Sequence, residues 1–227
     1  MTTFALVHGA GHGAWCWIRL THILENAGHS VIAVDLPCED STKTFSDYAD
    51  VVVRSVDGRE RVVLVGHSLG GLTIPLVAAR RPVERLVFLC ALLPIPGRIP
   101  FGEDPDAPPD VAPGLTLERF PDGTFAFTAA SAATHLYNRC SPDDVAWATA
   151  RLRRQSPAPN AEPCPLARWP DAPRTYVLTR DDRIVMPDHA RYIARTRGAM
   201  TPIEIDGDHS PFLSNVATLV SLLLSFA

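Results

Sequence analysis

The run Val62-Val63-Leu64-Val65-Gly66-His67-Ser68-Leu69-Gly70-Gly71 sets a serine between two glycines, directly after a β-branched apolar stretch. Written G-x-S-x-G, it is the pattern of a strand-to-helix turn so sharp that bulky side chains are excluded two positions either side, which leaves the serine hydroxyl clear of the backbone. A serine hydroxyl is a weak nucleophile at neutral pH and needs a base within hydrogen-bond reach, itself oriented by a third group. The chemistry indicated is nucleophilic attack by Ser68, so the remaining chain has to supply a histidine and a carboxylate. Downstream of Ser68 stand His135, His189 and His209, and only His209 directly follows a strand-like segment, in Ile203-Glu204-Ile205-Asp206-Gly207-Asp208-His209. His209 is therefore the expected base, and His135 and His189 are assigned to packing or surface. The acid is expected where the preceding strand closes, in Tyr176-Val177-Leu178-Thr179-Arg180-Asp181-Asp182, which offers two adjacent carboxylates. Asp206 and Asp208 lie too near His209 along the chain to support its ring from behind, and turn or capping roles suit them better.

Attack on a carbonyl places negative charge on its oxygen, so backbone N–H groups must already point at that spot. One expected donor is Leu69, at the start of the helix after the nucleophile; the other is Ala10, in the loop His8-Gly9-Ala10-Gly11-His12-Gly13 after the first strand. The same glycines invite a dinucleotide-binding reading. Their spacing is not G-x-G-x-x-G, however, and Asp35 near the end of the next strand is weak support for it.

These residues need a scaffold that brings several loops to one edge of a sheet. Short apolar runs alternate with amphipathic stretches: strands are expected at Phe4–His8, Val31–Leu36, Val62–Gly66, Leu86–Leu92, Thr175–Thr179 and Ile203–Ile205. Helices are expected at Trp15–Ala27, Phe45–Val56, Leu69–Ala79, Asp188–Thr196 and Pro211–Phe226. The fold class is α/β, a doubly wound and mostly parallel six-stranded sheet. The alternation fails between Pro94 and Pro173, so the core comprises 1–93 and 174–227, and 94–173 is read as a lid inserted over the C-terminal edge of the sheet. Pro94 to Gly123 is dense in Pro, Gly and Asp and is expected to be irregular. Thr128 to Gln155 is expected to be helical, with Ser141 as N-cap and Pro142 at the first helical position. Phe125, Phe127, Tyr137 and Trp147 are too many aromatics for a solvated spacer.

The 227 residues suffice for one such domain with its insertion. A formal charge of −4, with no cluster of Lys and Arg among aromatics, speaks against nucleic acid as a partner. No apolar run reaches the roughly 18 residues of a membrane span. Nor does the N-terminal stretch have the basic start and cleavage site of a signal peptide. A cytoplasmic protein is expected, with its five cysteines as free thiols, since their number is odd and no C-x-x-C spacing occurs.

With these motifs in place, the sequence resembles the α/β-hydrolase superfamily, and within it the branch of plant methylesterases, hydroxynitrile lyases and bacterial relatives. Val7-His8-Gly9-Ala10-Gly11-His12-Gly13-Ala14-Trp15-Cys16-Trp17 is similar to that branch's opening motif. Gly66-His67-Ser68-Leu69-Gly70-Gly71, Gly207-Asp208-His209-Ser210-Pro211-Phe212 and the lid sequence Leu136-Tyr137-Asn138-Arg139-Cys140-Ser141-Pro142 are similar to further segments of it. Pro96–Pro121 departs most. The resemblance selects Asp182 over Asp181, because Asp182-Arg183-Ile184-Val185-Met186-Pro187 matches the superfamily's Asp, any residue, two aliphatics and a nearby Pro. It implies hydrolysis of a small carboxylic ester, such as a methyl ester or lactone, without metal or organic cofactor, with Gly9, Tyr137 and Trp147 as substrate-binding residues. The other uses of such a triad are cyanohydrin cleavage and ligand binding with little turnover. The lyases of the branch carry a lysine after the catalytic histidine and a threonine in the opening motif; here those positions are Ser210 and Gly9, and the only lysine is Lys43.

Overall fold

The computed structural model describes residues 1–101 and 104–227. Its strands are β1 Thr3–Val7, β2 Ser30–Val34, β3 Val62–His67, β4 Arg85–Leu89, β5 Leu117–Arg119, β6 Phe125–Phe127, β7 Arg174–Thr179 and β8 Ile203–Ile205. Its α-helices are α1 Ile18–Asn26, α2 Phe45–Ser55, α3 Ile74–Ala78, α4 Ala129–Ser131, α5 Pro142–Thr149, α6 Pro187–Thr196, α7 Pro211–Ser214 and α8 Val216–Leu224. Six strands form one sheet in the order β2-β1-β3-β4-β7-β8, every neighbouring pair parallel. This is a doubly wound parallel sheet of six strands, as the alternation of runs predicts.

Both faces of the sheet are covered, which is why its strands read as continuous apolar runs. Ala5, Val7 and Leu64 pack with Phe45, Val52, Ile74 and Ile193 on one side, from α2, α3 and α6. Phe4, Leu6, Val63 and Val65 pack with Leu20, Leu24, Leu219 and Leu223 on the other, from α1 and α8.

The differences from expectation have local causes. β4 stops at Leu89 rather than Leu92 because Cys90 adopts φ 47, a left-handed conformation that turns the chain out of the strand. The expected terminal helix is two helices, broken at Asn215, whose φ of −148 and ψ of 56 are not helical and whose Nδ2 donates to the Asp206 carbonyl at 2.8 Å. The stretch expected to be irregular carries β5, which pairs antiparallel with β6 across Gly123 at φ 84. Asp122-Gly123 is a hairpin-turn signal. Positions 102 and 103 of that stretch lie outside the described residues. Ser141 does cap α5: its Oγ accepts the Asp144 amide at 3.2 Å, with Pro142 following. Among the described residues no helix is long and apolar enough to cross a membrane, and all five cysteines are free thiols.

Candidate active site

The strand order reverses between β1 and β3: the first connection moves to β2 on one side, and the later ones step outward on the other. At such a switch point neighbouring loops diverge and leave a crevice at the strands' carboxyl ends. The loop after β1 and the turn after β3 therefore meet, with Val7 in register with Gly66. Ser68 occupies that turn with φ 51, a left-handed conformation costing roughly 1–2 kcal/mol for a residue with a side chain. The flanking glycines are sterically required. A Cβ on Gly66 would stand 2.8 Å from the Gly70 carbonyl oxygen, and one on Gly70 would stand 2.7 Å from that of Val7. The Ser68 carbonyl accepts the Leu92 amide at 3.0 Å, which ties the turn to the segment after β4.

His209 and Asp182 come together from the loops after β8 and β7. The His209 Nδ1 lies 3.0 and 2.9 Å from the two Asp182 oxygens, with the residues 1 % and 4 % exposed. Asp182 Oδ1 also accepts the amides of Ile184 at 2.8 Å and Val185 at 2.9 Å, so the carboxylate is held from behind while facing the ring. A carboxylate only accepts, so Nδ1 carries the proton and the lone pair of a neutral ring is on Nε2. Asp181 points elsewhere: it is half-exposed and pairs with Arg139 at 3.5 Å. His67, one residue before Ser68, donates from Nε2 to the His209 carbonyl at 2.7 Å, their rings 4.6 Å apart. The segments bearing Ser68 and His209 are thus in direct contact.

The loop after β1 is a turn closed by the His12 amide on the Gly9 carbonyl at 3.3 Å. Gly11, third in that turn, has φ 70, the position where a type II turn requires glycine. A Cβ on Gly9 would stand 2.6 Å from Ser68 Cβ and 2.9 Å from His67 Nδ1. Gly9, which the resemblance implies as a substrate-binding residue, lies against Ser68 itself and serves close approach of the two backbones. Ala10, the expected oxyanion donor, is bracketed by histidines: His8 Nδ1 donates to the Gly9 carbonyl at 2.8 Å and His12 Nδ1 to the Ala10 carbonyl at 3.0 Å. Leu69 lies in the first turn of the short 3-10 helix Ser68–Leu72, where amides have no partner within the helix.

Tyr137 and Trp147 have other neighbours than those expected of substrate-binding residues. Tyr137 is 1 % exposed with its hydroxyl 2.9 Å from His12 Nε2. Trp147 packs edge-on against Trp15 at 5.3 Å and under the Arg151 guanidinium at 4.5 Å. His135 and His189 are packed against the insertion's backbone, on the Pro113 and Pro108 carbonyls. Asp208 does form the expected turn, accepting the Ser210 amide at 3.0 Å. Its second oxygen also accepts the Arg139 amide at 2.8 Å and the Cys140 thiol at 3.4 Å. Sequence reasoning missed that tie, and missed His8, His12 and His67; the signal available was three histidines inside the two motifs already singled out.

Three of these imidazoles are held neutral. Burial pushes His8 down to about 4 and His12 down to about 3, and burial foremost, with the neighbouring His209 and His12, lowers His67 as well. In the unfolded chain each titrates near about 6.5. As pH falls from there toward 4, the unfolded state binds protons the native state refuses, so stability falls with falling pH. Unfolding at pH 5 is expected to take up about three protons from these rings, measured from the pH dependence of the urea-unfolding free energy. A free energy flat between pH 5 and 7 would contradict neutral burial.

The alpha/beta hydrolase family profile matches residues 4–222. The chain belongs to the alpha/beta hydrolase family. Within it, the chain falls in the methylesterase-like branch. Methylesterase 2 from Arabidopsis thaliana is 31% identical over 250 residues, covering 99% of this chain and 95% of that protein. Salicylic acid-binding protein 2 from Nicotiana tabacum is 30% identical, covering 99% of this chain and 96% of that protein. The crystal structure of polyneuridine aldehyde esterase superposes with a TM-score of 0.82 at 27% identity, covering 99% of this chain and 98% of that one.

Proposed function

We propose that the chain is a carboxylic ester hydrolase that works through an acyl-enzyme on Ser68, with His209 as base and Asp182 as the acid that orients it. The observation that carries this reading is the buried Asp182 carboxylate receiving the His209 ring, in a loop that touches the residue before a left-handed serine. Ser68 Oγ attacks the ester carbonyl as its proton passes to His209 Nε2, and the amides of Ala10 and Leu69 receive the charge developing on the carbonyl oxygen. The ester C–O bond breaks, His209 returns the proton to the departing alcohol, and water then repeats the sequence on the acyl-enzyme to release the acid. Neither step requires a metal or an organic cofactor.

The substrate class is a small ester, with methyl esters and lactones as subclasses. In this reading residues 94–173 act as a lid on the core formed by 1–93 and 174–227. Five free thiols suit a reducing compartment such as the cytoplasm.

Cyanohydrin cleavage needs a fixed cation for the departing cyanide. The residue after His209 is Ser210, fully buried and uncharged, and position 9 has no room for a threonine side chain. Aryl acetates are expected to be hydrolysed, with a fluorophosphonate probe labelling Ser68. Mandelonitrile should release no cyanide above buffer and Ser68→Ala controls. Rapid Ser68-dependent cyanide release with negligible ester hydrolysis would overturn the esterase reading, and a protein that neither turns over esters nor takes the label would remove the mechanism.

A further inference from the structure

We propose that Tyr137, in the insertion, is a positioning residue for the oxyanion hole: its hydroxyl fixes His12 in the tautomer whose Nδ1–H holds the Ala10 carbonyl. This rests on the ester hydrolysis proposed above.

The argument begins with which atoms can donate. The Ala10 carbonyl only accepts, so the His12 Nδ1 at 3.0 Å carries a hydrogen. A neutral imidazole has one N–H, so Nε2 presents a lone pair, and the Tyr137 O–H at 2.9 Å must donate into it. Ring neutrality is supported by burial, which pushes His12 down to about 3. Both residues are 1 % exposed, and His12 is enclosed by the rings of Trp15, His67, Tyr137 and Phe212, so bulk water cannot replace a missing partner.

The carbonyl that His12 holds belongs to the central peptide of the Gly9–His12 turn. Type I and type II turns differ by rotation of that peptide, and Gly11 at φ 70 is in the type II form. On the other side of Ala10, His8 Nδ1–H holds the Gly9 carbonyl, and because a trans peptide is planar the Ala10 N–H points the opposite way. Ala10 is thus clamped at both of its peptides. The His8 clamp is completed from the core, since its Nε2 accepts the Leu36 amide at 3.0 Å. The His12 clamp is completed only from the insertion.

Without the Tyr137 hydroxyl, only the Ala10 carbonyl favours the Nδ1–H form of His12 over the Nε2–H form. The latter turns a lone pair toward the Ala10 oxygen and releases the central peptide. The same short segment also reaches the base loop through Arg139 N and Cys140 Sγ on Asp208. Residues 137–140 therefore brace the loop of Ala10 and the loop of His209 together.

The test is Tyr137→Phe, which keeps the ring and removes only the hydroxyl. With an aryl acetate, kcat is expected to fall on the order of tenfold at unchanged KM, less than the 10²–10³ that follows outright loss of an oxyanion-hole donor. Affinity for a boronic acid that mimics the tetrahedral state should fall by the same factor, and ¹⁵N spectra of His12 should show a mixture of tautomers in place of Nδ1–H alone. In a His12→Asn background, where an amide N–H₂ replaces Nδ1–H, Tyr137→Phe should have no further effect. Wild-type kcat in Tyr137→Phe overturns the proposal, as does a loss of kcat that tracks the melting temperature with the His12 tautomer unchanged. If the wild type hydrolyses no ester, the activity reading fails by itself, and the His12 spectra still decide whether Tyr137 sets the tautomer.

Discussion

Ser68→Ala is expected to abolish ester turnover, with a fall in kcat of about 10⁶, the size seen when the nucleophile of an unrelated serine hydrolase triad is removed. The fold should be unaffected. The substitution retains the Cβ that lies over Gly9, and the backbone bond from Leu92 to the Ser68 carbonyl does not involve the side chain. Circular dichroism and the melting temperature should match the wild type while p-nitrophenyl acetate hydrolysis falls to background. A variant retaining a tenth of the activity would mean that Ser68 does not form the acyl-enzyme.

Asp182→Asn is the second large effect, and the hydrogen bonds predict its direction. The amides of Ile184 and Val185 both require an acceptor at Oδ1, so an asparagine would keep its oxygen there and turn its N–H₂ toward His209. Nδ1 of His209 would then have to accept, moving the ring proton to Nε2, the atom that must be free to receive the serine proton. The expected loss in kcat approaches about 10⁴, as for the equivalent change in a serine protease. Asp181→Asn breaks only an exposed pair with Arg139, a class of contact worth about 0–1 kcal/mol, and should change kcat by less than about twofold. The reverse ranking would exchange the roles of the two carboxylates.

The sheet was legible because strands buried on both faces leave uninterrupted apolar runs, and the runs around Val63, Val87 and Val177 are of that kind. The elbow was legible because geometry restricts its residue types: Gly66 and Gly70 meet backbone oxygens where any Cβ would clash. Choosing Asp182 over Asp181 needed resemblance, since two adjacent carboxylates are indistinguishable until one of them is buried. The spacing of His8, His12 and His67 could not reveal their roles, because those roles depend on a carbonyl, an amide or a hydroxyl brought in from Gly9, Leu36, His209 and Tyr137. The resemblance implies Tyr137 as a substrate contact; what decides its place in the structure is a hydrogen bond to a residue 125 positions away.

The left-handed backbone at Ser68 bears on how such a protein can be lost as well as how it works. At that φ a glycine would fit without the side-chain penalty, so a mutation that removes the nucleophile can at the same time relieve the turn. Stability and reactivity then pull the same codon in opposite directions. A variant freed from the need for turnover would be no harder to fold, so under the proposed mechanism serine is called for at this position by its hydroxyl rather than by the needs of the fold.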